Sequence, residues 1–220
     1  MLKLHYHPLS PYSRKALIAL YEKGLDFEPI NTNLFDPAVR EAYRTHTNPL
    51  CKIPFLEHDD HVVPESSIII EYLDGKFEGD SQLVPDGVDA SRQARFYDRL
   101  GDLYLIERSS ALFFEGMKPA EAQDPGLVAR TLDAARVALG LFNKELTGRT
   151  FLLEERFTMA DIAPAVGAMG LSHQGIDLAD YPNVAAWIGR VASRPSVQRV
   201  HAEVGAALAA MASQSAVSED

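Results

Sequence analysis

At 220 residues, with 46% hydrophobic and 24% charged side chains, the chain has the composition of a globular protein of one large or two modest domains. Its formal charge of −10 comes from 21 basic and 31 acidic residues, with no Lys/Arg run; this argues against nucleic-acid binding, and no apolar stretch nears the length of a membrane span. One cysteine, Cys51, permits neither an intramolecular disulfide nor a thiolate metal cluster, and no signal-peptide pattern precedes the first strand, so a reducing cytoplasm is expected.

The first 79 residues alternate strand and helix signals. Leu2–Tyr6 reads as a strand. Ser10-Pro11 opens a helix, with proline at the first helical position where its missing N–H costs nothing. Ala16, Leu17, Leu20 and Tyr21 follow at helical spacing, and Gly24 marks the stop. A second strand is expected over 26–31 and a short helix over 37–45. A hairpin over 53–57 and 62–63 turns at Asp59-Asp60, and Glu65-Ser66 starts a helix running to about Phe77. This order predicts an α/β domain over 1–79, a small mixed sheet covered by helices.

A stretch rich in Gly, Asp and Pro follows, and 80–87 reads as a linker. Beyond it only helical periodicity is present, predicting an all-α domain over 88–212. One long helix is expected over 89–115, with Ala94, Tyr97, Leu100, Tyr104 and Glu107 on one stripe, and a second over 125–146. Thr158-Met159-Ala160-Asp161 is a capping box, flanked by Phe157 and Ile162 as a hydrophobic staple. Pro182-Asn183 opens a helix containing Trp187, which reads as core. Arg194-Pro195-Ser196 separates it from the last helix, and the small, polar tail over 213–220 is expected to be disordered.

Five segments, in this order, resemble the cytosolic glutathione S-transferases over essentially the whole chain. They are Ser10-Pro11-Tyr12-Ser13-Arg14, Asn48-Pro49-Leu50-Cys51-Lys52-Ile53-Pro54, Glu65-Ser66-Ser67-Ile68-Ile69, Phe157 to Ile162, and Tyr181-Pro182-Asn183-Val184 with Trp187 and Arg194-Pro195-Ser196-Val197. A serine in the first segment resembles the serine-type members rather than the cysteine or tyrosine types. The resemblance implies a thioredoxin-like N-terminal domain followed by an all-α domain. It further implies glutathione as co-substrate with no metal, attack on a small apolar electrophile, and a homodimer.

The chemistry such an enzyme needs can be set against these residues. Glutathione attacks as thiolate, and a free thiol titrates near 8.5. Lowering that by about 2 units requires about 2.7 kcal/mol, at roughly 1.36 kcal/mol per unit. A hydrogen bond to a charged acceptor supplies about 1.5–3 kcal/mol and a helix N-terminus roughly 0.3–1. Ser10, at the start of the first helix, can provide both as a hydrogen-bond donor; read alone it is an ordinary N-cap. Ser13 and Tyr6 are the alternative hydroxyls, and Tyr12 is placed to line the site.

Pro54 is trans by default. In the family it is cis, which implies that the main chain of Ile53 pairs with the cysteinyl backbone of glutathione. With glutathione as the implied ligand, Ser66 at a helix start is expected to form an anion site for the γ-glutamyl carboxylate, Glu65 to face the ligand's amino group and Lys52 to meet the glycine carboxylate; read alone, Glu65-Ser66 is a plain helix cap. Arg14 resembles the family's arginine in the first helix, which implies that it supports the site rather than touching glutathione. Cys51 lies in a loop, away from a helix N-terminus that would activate it, and serines stand where a redox relative carries Cys-x-x-Cys. The electrophile is expected between the domains, lined by Leu9, Tyr12 and Phe35 from the first and by Tyr104, Phe113 and Phe114 from the second. Two rival readings share the scaffold: a glutathione-dependent isomerase or dehalogenase like the maleylacetoacetate isomerases, and a non-catalytic regulatory protein.

Overall fold

The computed structural model describes residues 1–79, 81–153 and 155–217. Packing divides the chain into two compact units, one made of Met1–Ser81 with the C-terminal segment from Pro195, the other of Gln82–Arg194.

In the first unit the order is β1 (Leu2–Tyr6), α1 (Pro11–Glu22), β2 (Glu28–Asn31), α2 (Pro37–His46), β3 (Phe55–His58), β4 (His61–Pro64) and α3 (Ser66–Lys76). The sheet order is β2-β1-β3-β4, with β1 parallel to β2 and antiparallel to β3, and β3 antiparallel to β4. This is the thioredoxin-like α/β arrangement with a mixed four-stranded sheet. Leu2 and Leu4 of β1, Leu56 of β3, Ala16, Leu17 and Leu20 of α1 and Ile69, Ile70 and Leu73 of α3 form its core. Gly24, at φ +62°, ends α1 in a backbone region that side chains with a Cβ disfavour.

Two strands begin later than expected. β2 starts at Glu28, and Phe27 before it packs at a tilt against Tyr21, ring centroids 5.9 Å apart. β3 starts at Phe55, because Pro54 has no N–H to give to a ladder. Pro29 and Pro64 both fall on edge strands, where a missing donor is tolerated.

The last helix, α9 (Pro195–Val217), belongs to this first unit. Glu203 accepts hydrogen bonds from the hydroxyls of Tyr6 (3.3 Å) and Tyr21, Ser196 donates to Glu22, and the Arg199 guanidinium lies 4.0 Å from the Tyr21 ring centroid. Helical periodicity gives no sign of that assignment, so the domain division at 79, 80–87 and 88–212 stands as a proposal beside this division by packing. The α9 backbone continues to Val217, into the segment expected to be disordered; 218–220 lie outside the described residues.

The second unit holds α4 (Val88–Gly101), α5 (Glu107–Gly116), α6 (Pro125–Glu145), α7 (Met159–His173) and α8 (Pro182–Ala192). A π-helical turn over Asp102–Ile106 interrupts the single long helix expected over 89–115. The buried line therefore passes Ala94, Tyr97, Gly101, Leu105 and Leu112, while Tyr104 and Glu107 of the expected stripe turn outward. Gly101 allows a close backbone approach: a Cβ there would lie 2.5 Å from the backbone nitrogen of Pro164 in α7. The capping box is present, with the Thr158 hydroxyl accepting from Ala160 N–H (3.3 Å) and the Asp161 carboxylate from Thr158 N–H (3.0 Å). Among the described residues, no helix is long and apolar enough to cross a membrane.

Candidate active site

Strand register collects the site. His5 of β1 pairs with Phe55 of β3, and Phe55 pairs with Pro64 of β4. The chain leaves β1 at that end toward Ser10, enters β3 there from Lys52-Ile53-Pro54, and leaves β4 there into Glu65-Ser66. β2 runs parallel to β1, so Asn31 lies beside Tyr6 and the loop carrying Phe35 departs from the same end. Thus Leu9, Ser10, Tyr12, Phe35, Lys52, Ile53, Pro54, Glu65 and Ser66, which span 58 positions of sequence, surround one end of one sheet.

Ser10 is the N-cap of α1. Its Oγ accepts from Ser13 N–H at 3.2 Å, and its carbonyl accepts from Arg14 N–H at 3.1 Å. A hydroxyl has one proton and two lone pairs, so capping the helix leaves the proton available for another acceptor. The cap and the donor readings of Ser10 are compatible in one geometry. Ser13 is fully buried and is used internally, its Oγ accepting from His7 N–H at 3.4 Å. Tyr6, the other alternative, directs its hydroxyl to Glu203, and burial together with that carboxylate pushes it up to about 12.

Arg14 braces the turn before Ser10 from behind. Its Nε donates to the Pro8 carbonyl at 2.9 Å and a terminal nitrogen donates to the Leu9 carbonyl at 3.2 Å. Burial draws the guanidinium down to about 10, which leaves it charged at neutral pH. Arg14 thus holds two main-chain carbonyls, the supporting position that the sequence suggested.

The loop before β3 is shaped by two residues that sequence reasoning missed. Tyr43 of α2 and the buried Asn48 both donate to the Lys52 carbonyl at 3.0 Å, while Asn48 Oδ1 accepts from Leu50 N–H at 3.0 Å. Asn48 opens one of the five segments of the resemblance, but nothing in the sequence gives it this role; Tyr43 carries no signal. Cys51 takes φ +53°, Lys52 extends into solvent, and the Ile53–Pro54 peptide is cis. At the start of α3, Glu65 is exposed at φ +70°, a conformation costly for a residue with a Cβ and one that concentrates at binding sites. Ser66 is buried in the first turn behind it, and the fully buried Lys15 donates to Ser67 Oγ at 2.9 Å.

The residues expected to line an electrophile site are distributed as follows. In the first unit Leu9 and Tyr12 are half-buried and Phe35 is exposed. In the second unit Tyr104 sits in the π-helical turn with an exposed ring, and Phe113 packs edge-on against the exposed Phe114, centroids 5.5 Å apart.

Comparison with known proteins agrees with this geometry. Residues 4–81 match the family of the glutathione S-transferase N-terminal domain, and residues 108–195 match that of the glutathione S-transferase C-terminal domain. The chain is 28% identical to glutathione S-transferase 3 of Zea mays, over 92% of this chain and 94% of that protein. Among solved structures, it resembles a glutathione S-transferase from Methylobacterium radiotolerans in complex with glutathione sulfonate: 32% identity, TM-score 0.79, 90% of this chain and 93% of that one. A glutathione S-transferase from Methylobacillus flagellatus with glutathione bound gives 30% identity and a TM-score of 0.80, over 91% and 98%.

Proposed function

We propose that this chain, which belongs to the glutathione S-transferase family, binds glutathione at the end of the sheet where β1 exits and β3 enters, and uses the Ser10 hydroxyl to hold its sulfur as thiolate for attack on a small apolar electrophile. The fold is the family's, a thioredoxin-like domain with a mixed four-stranded sheet followed by a helical domain.

In this reading each turn at the sheet end takes one part of the tripeptide. Lys52 meets the glycine carboxylate, the Ile53 main chain pairs with the cysteinyl backbone ahead of Pro54, Glu65 faces the amino group, and Ser66 with the α3 amides binds the γ-glutamyl carboxylate. Leu9, Tyr12 and Phe35, and in the helical unit Tyr104 and Phe113, are the side chains assigned to the electrophile. The serine never ionises; it donates a hydrogen bond that is stronger to the charged sulfur than to the neutral one. No metal enters this scheme. Homodimer formation and cytoplasmic residence belong to the same proposal, the latter supported by a lone cysteine unsuited to a disulfide framework.

The observation that carries the reading is the His5, Phe55 and Pro64 register, which gathers three sequence-distant segments with matching chemistry at one place. The test is Ser10→Ala, read by titrating the ultraviolet absorbance of the bound thiolate. Loss of one charge-assisted hydrogen bond of about 1.5–3 kcal/mol raises the bound thiol by about 1–2 pKa units, with a much smaller change in glutathione affinity. An unchanged titration, or a wild-type protein that binds no glutathione, overturns the assignment. Parallel assays of conjugation, isomerase and dehalogenase activity on the purified protein distinguish the first rival chemistry.

A further inference from the structure

A ring of hydrogen bonds closes on His7. Its N–H donates to Ser13 Oγ (3.4 Å), Ser13 N–H donates to Ser10 Oγ (3.2 Å), and Ser10 N–H donates back to the His7 carbonyl (2.9 Å). The imidazole adds a bond of its own, because Leu9 N–H donates to Nδ1 at 3.3 Å. A backbone N–H can only donate, so Nδ1 carries no proton and the neutral ring holds its hydrogen on Nε2. The side chain therefore spans the tightest part of the turn, in the way an Asn side chain closes an Asx turn onto the N–H two residues ahead.

We propose that His7 is a positioning residue for the thiol chemistry: its uncharged ring closes the turn that presents Ser10, and protonation opens that turn. This rests on the donor role given to Ser10 above. A proton on Nδ1 would set one N–H against another at the Leu9 amide, so the charged ring cannot keep the bond. Leu9 would then lose its bond to the side chain, and the turn would rest on the Arg14 brace to the Pro8 and Leu9 carbonyls and on the main-chain and cap bonds of Ser10. The charged and titratable groups near the turn include Arg14 and Lys15 on α1, the latter engaged with Ser67 of α3, and Tyr6 with Glu203 and Arg199 of α9. Burial lowers the basicity of His7, which keeps the ring neutral and the turn closed near neutral pH.

The experiment compares wild type, His7→Asn and His7→Leu in conjugating glutathione to chlorodinitrobenzene, from about pH 4 to 8, reaching below the range where an ordinary imidazole titrates because burial lowers His7. Asn supplies an acceptor for the Leu9 N–H that never titrates; Leu supplies none. His7→Leu is expected to lose about tenfold in kcat, the value of about one hydrogen bond, with KM for glutathione little changed, since Lys52, Ile53 and Ser66 lie on other turns. His7→Asn is expected to recover most of the neutral-pH rate. Its acid limb should fall with one proton, from the thiol, where the wild type falls with two. Coincident acid limbs in wild type and His7→Asn, or no rescue by Asn, overturn the proposal.

Circular dichroism on each variant separates a lost turn from a lost fold. The two readings fail differently. If Ser10→Ala leaves the bound thiol unchanged, the role of Ser10 falls and this inference with it. If Ser10→Ala raises the thiol pKa while His7→Leu leaves both it and kcat alone, only the inference falls.

Discussion

Replacing Asp161 should cost the helical unit more than any other single polar substitution there. The side chain is fully buried. Its Oδ1 accepts from Leu152 N–H (2.9 Å) and Trp187 Nε1–H (2.9 Å), and its Oδ2 from Thr158 N–H (3.0 Å). Asp161→Ala strands three buried donors at about 1–3 kcal/mol each, and even with partial relaxation the loss is on the order of 3–6 kcal/mol. At about 2–4 °C per kcal/mol for a protein of this size, Tm falls by roughly 6–24 °C. Trp187 is the only tryptophan and touches the mutated group, so urea unfolding followed by its fluorescence reads the change directly. The pH dependence adds a second arm. Burial raises Asp161 to about 6, against the opposing pull of its hydrogen bonds, while the unfolded chain titrates near 3.9. The folded state thus binds the extra proton, so this group's contribution is full below about pH 4 and is lost as pH rises through about 6. At about 1.36 kcal/mol per unit that amounts to roughly 3 kcal/mol. Asp161→Asn cannot titrate, so the stability of wild type relative to Asp161→Asn should rise as pH falls from 7 to 4. A Tm drop of under 2 °C for Asp161→Ala, or parallel pH profiles for wild type and Asp161→Asn, would refute this account.

Two further outcomes follow from close packing and from charge. Gly101→Ala places a methyl 2.5 Å from Pro164 N and 2.8 Å from Ala163 C, backbone atoms that cannot swing aside, and should destabilise by about 1–3 kcal/mol or more. Gly140→Ala in α6 meets nothing within 4 Å and should stabilise by about 0.5–1 kcal/mol; equal denaturation midpoints for the two variants would remove the packing explanation. Glu203→Gln removes the negative charge beside Tyr6, so the Tyr6 hydroxyl should titrate below its present value of about 12 yet stay above 10, because burial is the larger cause. Ultraviolet titration of tyrosinate checks this, and an unmoved curve would show that Glu203 does not act on Tyr6.

What the sequence discloses is local, and what it hides is contact between distant or unpatterned residues. β1, the α1 start at Ser10-Pro11, the hairpin, and the Thr158–Asp161 cap all announce themselves within a few positions, because alternation, helical spacing and capping chemistry are short-range signals. The resemblance to glutathione S-transferases works at the same scale, through five such segments. The seat of α9 depends instead on Glu203 meeting Tyr21, 182 positions away, and no periodicity encodes that. The π-helical turn at Asp102–Ile106 has the same character: the helical pattern continues through it, and the extra residue shows only when Leu105 rather than Tyr104 turns inward beside Gly167. At the candidate site, the side chains proposed to touch glutathione lie in recognisable segments, while of those that fix the turns only Arg14 and Asn48 do, and His7 and Tyr43 fall outside them. Asn48 and Tyr43 converge on one carbonyl, and His7 closes the turn before Ser10, using residue types that elsewhere on a strand or helix would be ordinary packing. A site on loops needs such internal bonds because its backbone lacks the ladder that holds a strand. The supporting side chains are therefore set by the shape of each turn rather than by the ligand, and only the folded geometry reveals them.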